Sequence, residues 1–158
     1  MKIRFQLNGQ EQRLDVDGDL RALDVLREQC GVIGPKEGCG TGECGACAIW
    51  MDGVTRLSCL TLAAQLDGRD VTTAEGLATD GPHPVQAALA ELGGVQCGYC
   101  TPGIVMTAAE LLARDADPDR DAIRRAVSGN LCRCTGYHKI VDAVEEAAQT
   151  MRAAQEDN

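Results

Sequence analysis

Residues 39–47 read CGTGECGAC: three cysteines and three glycines in nine positions, with a further glycine, Gly38, just ahead. Thiols held this close and cleared of bulk admit a disulfide knot, a zinc site, an iron–sulfur cluster or a redox-active thiol pair. The rest of the chain discriminates among these. The opening MKIRFQLNGQEQRLDVDGD alternates polar and apolar residues and has no continuous hydrophobic region, so it does not read as a secretory signal. The expected compartment is therefore the reducing cytoplasm, where a disulfide framework does not persist. Nine cysteines there read as metal ligands with one left over.

The first stretch extends to a quartet, Cys39-x4-Cys44-x2-Cys47-x11-Cys59. Three ligands in one loop with a fourth beyond a hairpin is the plant-type two-iron arrangement in kind. Zinc sites more often pair two C-x2-C knuckles. Gly38, Gly40, Gly42 and Gly45 would let such a loop take positive φ, wrap a compact anion and aim amides at its sulfurs. A second quartet, Cys97-x2-Cys100-x31-Cys132-x1-Cys134, lies in the other half of the chain. Each of its pairs comes just before an expected helix, where unpaired amides favour negative charge. Its spacing alone leaves zinc open beside iron.

Around these loops, Ile3, Phe5 and Leu7 alternate with polar residues up to Asn8-Gly9, and Arg13–Val16 follow, which is a hairpin signal. DLRALDVLREQCG places Leu20, Leu23, Leu26 and Cys30 at helical spacing, with Gly31 suited to end the helix. ACAIWMDGVTRLSC reads as two strands about Asp52-Gly53, and Val71 centres a last strand. Beyond EGLATDGPH the pattern predicts four helices, near 83–92, 101–114, 118–127 and 138–154. Pro84 and Pro118 stand in first turns and Asp117 serves as an N-cap. The expected fold class is α+β, with a small α+β unit over residues 1–76 and an antiparallel helical bundle over 77–158.

The net charge is −9, from 24 acids and 15 bases, and no Lys/Arg run offers a footprint for nucleic acid or an anionic membrane. No apolar run reaches the length of a membrane span. With one Phe, one Trp and two Tyr, the core must be aliphatic, and small units this thin are commonly stapled by metal. The chain has no Ser/His/Asp set, no P-loop and no dinucleotide motif, so it is expected to make no bonds itself.

Three segments, GPKEGCGTGECGACAIWMDG, GVQCGYCTPGIVM and SGNLCRCTGYHKIVDAV, resemble the small iron–sulfur subunit of the molybdenum hydroxylases. Xanthine dehydrogenase, aldehyde oxidoreductase and carbon monoxide dehydrogenase are members of that family. The resemblance runs from the first strand to the last helix. It implies a plant-ferredoxin-like β-grasp domain followed by a four-helix-bundle domain, each with one [2Fe-2S] cluster. It makes Cys39, Cys44, Cys47 and Cys59 ligands of a flavin-facing cluster. Cys97, Cys100, Cys132 and Cys134 become ligands of a cluster beside molybdopterin, with Gln96 contacting the pterin and Cys134 linking cluster to pterin. The implied partners are a large molybdopterin-binding subunit and a medium FAD-binding subunit, served by an electron-transfer subunit. A free ferredoxin-type carrier is the alternative, disfavoured by the second quartet. Cys30, which stands where the family usually has an aliphatic residue, is read as a small buried hydrophobe. Trp50 and Tyr99 are expected to pack, His83 and His138 to lie at the surface. Arg133 is expected either to offset cluster charge or to pair with a neighbouring acid.

Overall fold

The computed structural model describes residues 1–156. Strands β1 (Lys2–Leu7) and β2 (Gln10–Asp15) form the expected hairpin, with Ile3, Phe5 and Leu7 turned inward and buried. Its two-residue turn needs positive φ at both positions, which Asn8 (φ 50°) and Gly9 (φ 78°) supply. Strands β3 (Ala48–Met51) and β4 (Val54–Leu57) repeat the device at Asp52-Gly53, and β5 (Asp70–Thr72) closes the sheet. The strand order is β2-β1-β5-β3-β4, with only β1 and β5 parallel among these pairings. A mixed sheet of this order with a helical crossover is the β-grasp arrangement that the first half was expected to adopt.

The crossover departs from a plain helix. One α-turn, α1 (Ala22–Asp24), passes directly into a π-wound segment, Val25–Gln29, in which the Cys30 amide bonds to the Val25 carbonyl at 3.1 Å. Arg27 ties off the wide turn by donating to the carbonyls of Ile33 and Pro35. Gly31, at φ 71°, ends it as expected. A turn widened by one residue keeps the apolar face while changing the hydrogen-bond period, so the Leu/Cys spacing alone did not reveal it.

Among the described residues the second half consists of α2 (Pro84–Glu91), α3 (Thr101–Arg114), α4 (Arg120–Val127) and α5 (His138–Glu156). Pro84 takes the first turn of α2, and the half-buried His83 is its cap, accepting from the Val85 amide at 3.2 Å. Helix α4 begins two residues later than expected. Its cap is Asp119, accepting from Ala122 at 2.6 Å, while Asp117 instead pairs with Arg152.

The halves share the sheet. From β3, Ile49 faces the core of Phe5, Leu26 and Val71. Its neighbours Ala48 and Trp50 face the helical core of Ile104, Met106 and Val144. The Trp50 indole donates to the Met106 carbonyl at 2.9 Å, and Glu110 of α3 accepts from the Thr55 amide. No helix of the described residues is long and apolar enough to cross a membrane.

Candidate metal centres

The CGTGECGAC loop follows the irregular stretch after the π-wound segment and runs directly into β3, so the sheet holds its far end. Cys47 and Cys59 are buried against Leu23, with the half-buried Leu57 alongside. Cys44 is half-buried and Cys39 exposed. The amides of Thr41, Glu43 and Cys44 all donate to Cys39 Sγ at 3.2–3.4 Å, and the Cys39 amide donates to Cys44 Sγ at 3.3 Å. Hydrogen bonds from Thr41, reinforced by the Cys44 and Glu43 amides, bring the Cys39 thiol down to about 6. Burial, with Cys47 alongside, pushes the Cys59 thiol up to about 11.

Gly40, Gly42 and Gly45 take positive φ, as expected, but Gly38 does not. Space is the reason for Gly38: a Cβ there would stand 2.6 Å from Cys44 Sγ. The loop is thus a cradle of soft thiolate donors with converging amides, which fits a compact anionic iron–sulfide unit.

In the second quartet, Cys100 is the N-cap of α3 and is buried, with Cys97 exposed just before it. Cys132 is half-buried beside Cys100, and Cys134 is exposed. This second pair does not sit on a helix N-terminus as expected. Thr135, Gly136 and Tyr137 intervene before α5, and Tyr137 adopts φ 69°. Local groups replace the helix end. Although burial pushes the Cys132 thiol up, the Thr135 hydroxyl at 3.1 Å and the amides of Cys134 and Thr135 hold it below its ordinary value. Burial, with Cys132 adjacent, pushes Cys100 up to about 12.

Among the described residues no three His, Cys, Asp or Glu side chains converge as a single ion would require. The thiols meet instead in pairs, Cys47 with Cys59 and Cys100 with Cys132, which suits a centre that takes two thiolates per iron.

The two quartets face one another. A cavity of about 220 Å³ is lined by Gly38, Cys44 and Ala46 from one loop and by Cys97, Cys100 and Cys132 from the other. The Leu131 amide donates to the Cys44 carbonyl at 2.8 Å, directly joining the two loops. Asn130, which by sequence is only part of a Ser-Gly-Asn turn between helices, is a buried polar residue at this seam. Gln96 is exposed beside the second quartet, donating to the Cys134 carbonyl at 3.1 Å. Arg133 is exposed and makes no ion pair with an acid among the described residues. Tyr99 does not pack as expected: it is 48% exposed and donates through its hydroxyl to the Glu37 carbonyl. Cys30 is half-buried against the first core, and burial raises its thiol, in keeping with the apolar reading.

Residues 5–78 match the family described as "2Fe-2S iron-sulfur cluster binding domain", and residues 73–145 match "[2Fe-2S] binding domain". The nicotinate dehydrogenase small FeS subunit of Eubacterium barkeri is 47% identical over 148 residues, covering 93% of this chain and 94% of that protein. Quinoline 2-oxidoreductase of Pseudomonas putida 86 superposes with a TM-score of 0.92 at 40% identity, covering 97% of this chain and 96% of that one. Aldehyde oxidoreductase of Desulfovibrio gigas also reaches 0.92, at 41% identity, but there 98% of this chain corresponds to 17% of a much longer one. With both halves matched and near-complete overlap with its relatives, the chain belongs to the small [2Fe-2S] iron–sulfur subunits of the molybdenum hydroxylases.

Proposed function

We propose that this chain is the electron conduit of a multi-subunit molybdenum hydroxylase, set between a large molybdopterin-binding subunit and a medium FAD-binding subunit in the cytoplasm. Cys39, Cys44, Cys47 and Cys59 hold the cluster nearer the flavin. Cys97, Cys100, Cys132 and Cys134 hold the one nearer the molybdenum, with Gln96 contacting the pterin. When bound, the clusters supply one-electron couples in series between a two-electron substrate oxidation and a flavin. The observation that carries this reading is the meeting of two thiol quartets at one seam, joined by the Leu131–Cys44 hydrogen bond. A free carrier needs only one such centre.

The chain's own residues do three things in this scheme. The buried Cys47, Cys59 and Cys100 anchor each centre to a core, fixing its position. The amides on Cys39 Sγ favour the more negative state and so raise that centre's potential. The exposed Cys39, Cys97 and Cys134 leave each quartet an outward edge toward a partner. The unit boundary falls between residues 76 and 77.

Anaerobically purified complex should contain about four irons and four sulfides in this chain, two of each per quartet. The chain should co-elute with larger subunits. Two zincs and no colour, or elution alone, would refute the proposal. Cys97→Ser should stop reduction of flavin by substrate while leaving the first quartet's spectrum intact; normal flavin reduction would break the assigned path.

A further inference from the structure

Asn130 is 3% exposed, and its position is not that of a routine turn residue. Its side-chain Nδ2 donates to the Gly45 carbonyl at 3.1 Å, across 85 residues of chain. Its own carbonyl accepts from the Tyr137 hydroxyl at 2.8 Å, and that same hydroxyl accepts from the Cys132 amide at 2.8 Å. The next amide, Leu131, donates to Cys44. Gly45 therefore lies between two thiols of the first quartet, while Asn130 is two residues from Cys132.

The fit leaves no spare room. A Cβ on Gly45 would stand 2.4 Å from the Gly129 carbonyl and 2.6 Å from Asn130 Nδ2. A Cβ on Gly103, in the first turn of α3 behind Cys100, would stand 2.3 Å from the Gly45 carbonyl. Three backbones converge where glycine alone permits them, and one carboxamide spans the gap.

We infer that Asn130 is a positioning residue that clamps the Cys39–Cys47 loop to the Cys132–Cys134 loop and so fixes the spacing and coupling of the two centres. This rests on the electron-conduit reading, but the clamp itself is a property of the polypeptide. Without the carboxamide, the Gly45 carbonyl keeps only its bond from the Ala48 amide at 3.2 Å, within its own loop, and the buried side-chain link between the two loops is lost. Distance between centres, not the ligation of either, is what changes.

The test uses the full chain in its complex, with Asn130→Ala and Gly103→Ala attacking the clamp from opposite sides. Asp119→Ala, which uncaps α4 at the end opposite Asn130 and touches neither loop's hydrogen bonds, controls for general loss of stability. The Leu131 amide should exchange with solvent roughly tenfold faster in both clamp variants, the effect of one buried hydrogen bond. In dithionite-reduced samples, the magnetic splitting between the two clusters should shrink or vanish in those variants while iron content is retained, and it should be unchanged in the control. Parental exchange and parental splitting in Asn130→Ala would overturn the clamp, as would an equal change in the Asp119→Ala control. If the parent itself showed no cluster spectra, the conduit reading would fall, and Leu131 exchange would still decide the clamp.

Discussion

His83 caps α2 through a ring nitrogen that accepts from Val85, which requires that nitrogen to be unprotonated. Burial lowers its pKa, so the unfolded chain, with histidine near about 6.5, takes up the proton first as pH falls. The stabilisation is complete above about pH 6.5 and is lost as pH falls through that value toward the folded pKa. His83→Asn keeps a capping acceptor and should flatten this part of the pH profile in urea melts recorded on either side of about pH 6.5. Alkylation of the metal-free chain should label Cys39, Cys97 and Cys134 quickly and the buried Cys47, Cys59 and Cys100 slowly; mass spectrometry of the peptides would reveal any other order. At this scale the eight thiols were legible, because metal chemistry restricts both residue type and spacing. Asn130 was not: an Asn after Ser-Gly reads as a turn, and its partner is distant in sequence. Tyr99 misled because aromatic character predicts burial, whereas here its hydroxyl reaches across to the backbone at Glu37.

Among the elements, hairpins were read most accurately, since Asn-Gly and Asp-Gly specify both turn and register. Helix ends were read less well. Asp117 and Asp119 both precede α4 and both are plausible caps by type; geometry selects Asp119, two residues nearer the first helical amides. Asp119→Ala should destabilise the fold by about 1 kcal/mol, and Asp117→Ala by less, because it loses only an exposed ion pair with Arg152. Chemical denaturation of the two variants side by side checks that ranking. Likewise, the C-x-C pair was expected at a helix terminus, but a Thr-Gly-Tyr turn separates it from α5. Its amides and hydroxyl do there what a helix dipole would have done.

For the molecule as a whole, the sequence suggested two units joined by a linker, and composition changes where that linker stands. Reading β3 as one arm of a hairpin left out that it serves both cores, although the unbroken apolar run Ala48–Met51 is the pattern of a strand covered on both faces. Trp50→Ala should therefore destabilise both halves together, by roughly 2–3 kcal/mol for a half-buried indole that also bonds Met106. One shared transition by near- and far-ultraviolet dichroism is expected, and two separated transitions would contradict it. The seam has a further consequence in time. A ribosome releases residue 44 long before residue 131, so during synthesis the first thiol loop emerges with nothing to close against. Its final form must be reached only after residue 131 has emerged. A nascent peptide ending short of Gly129 should present Cys44 as an open, protease-sensitive loop, however well its own hairpins have already formed.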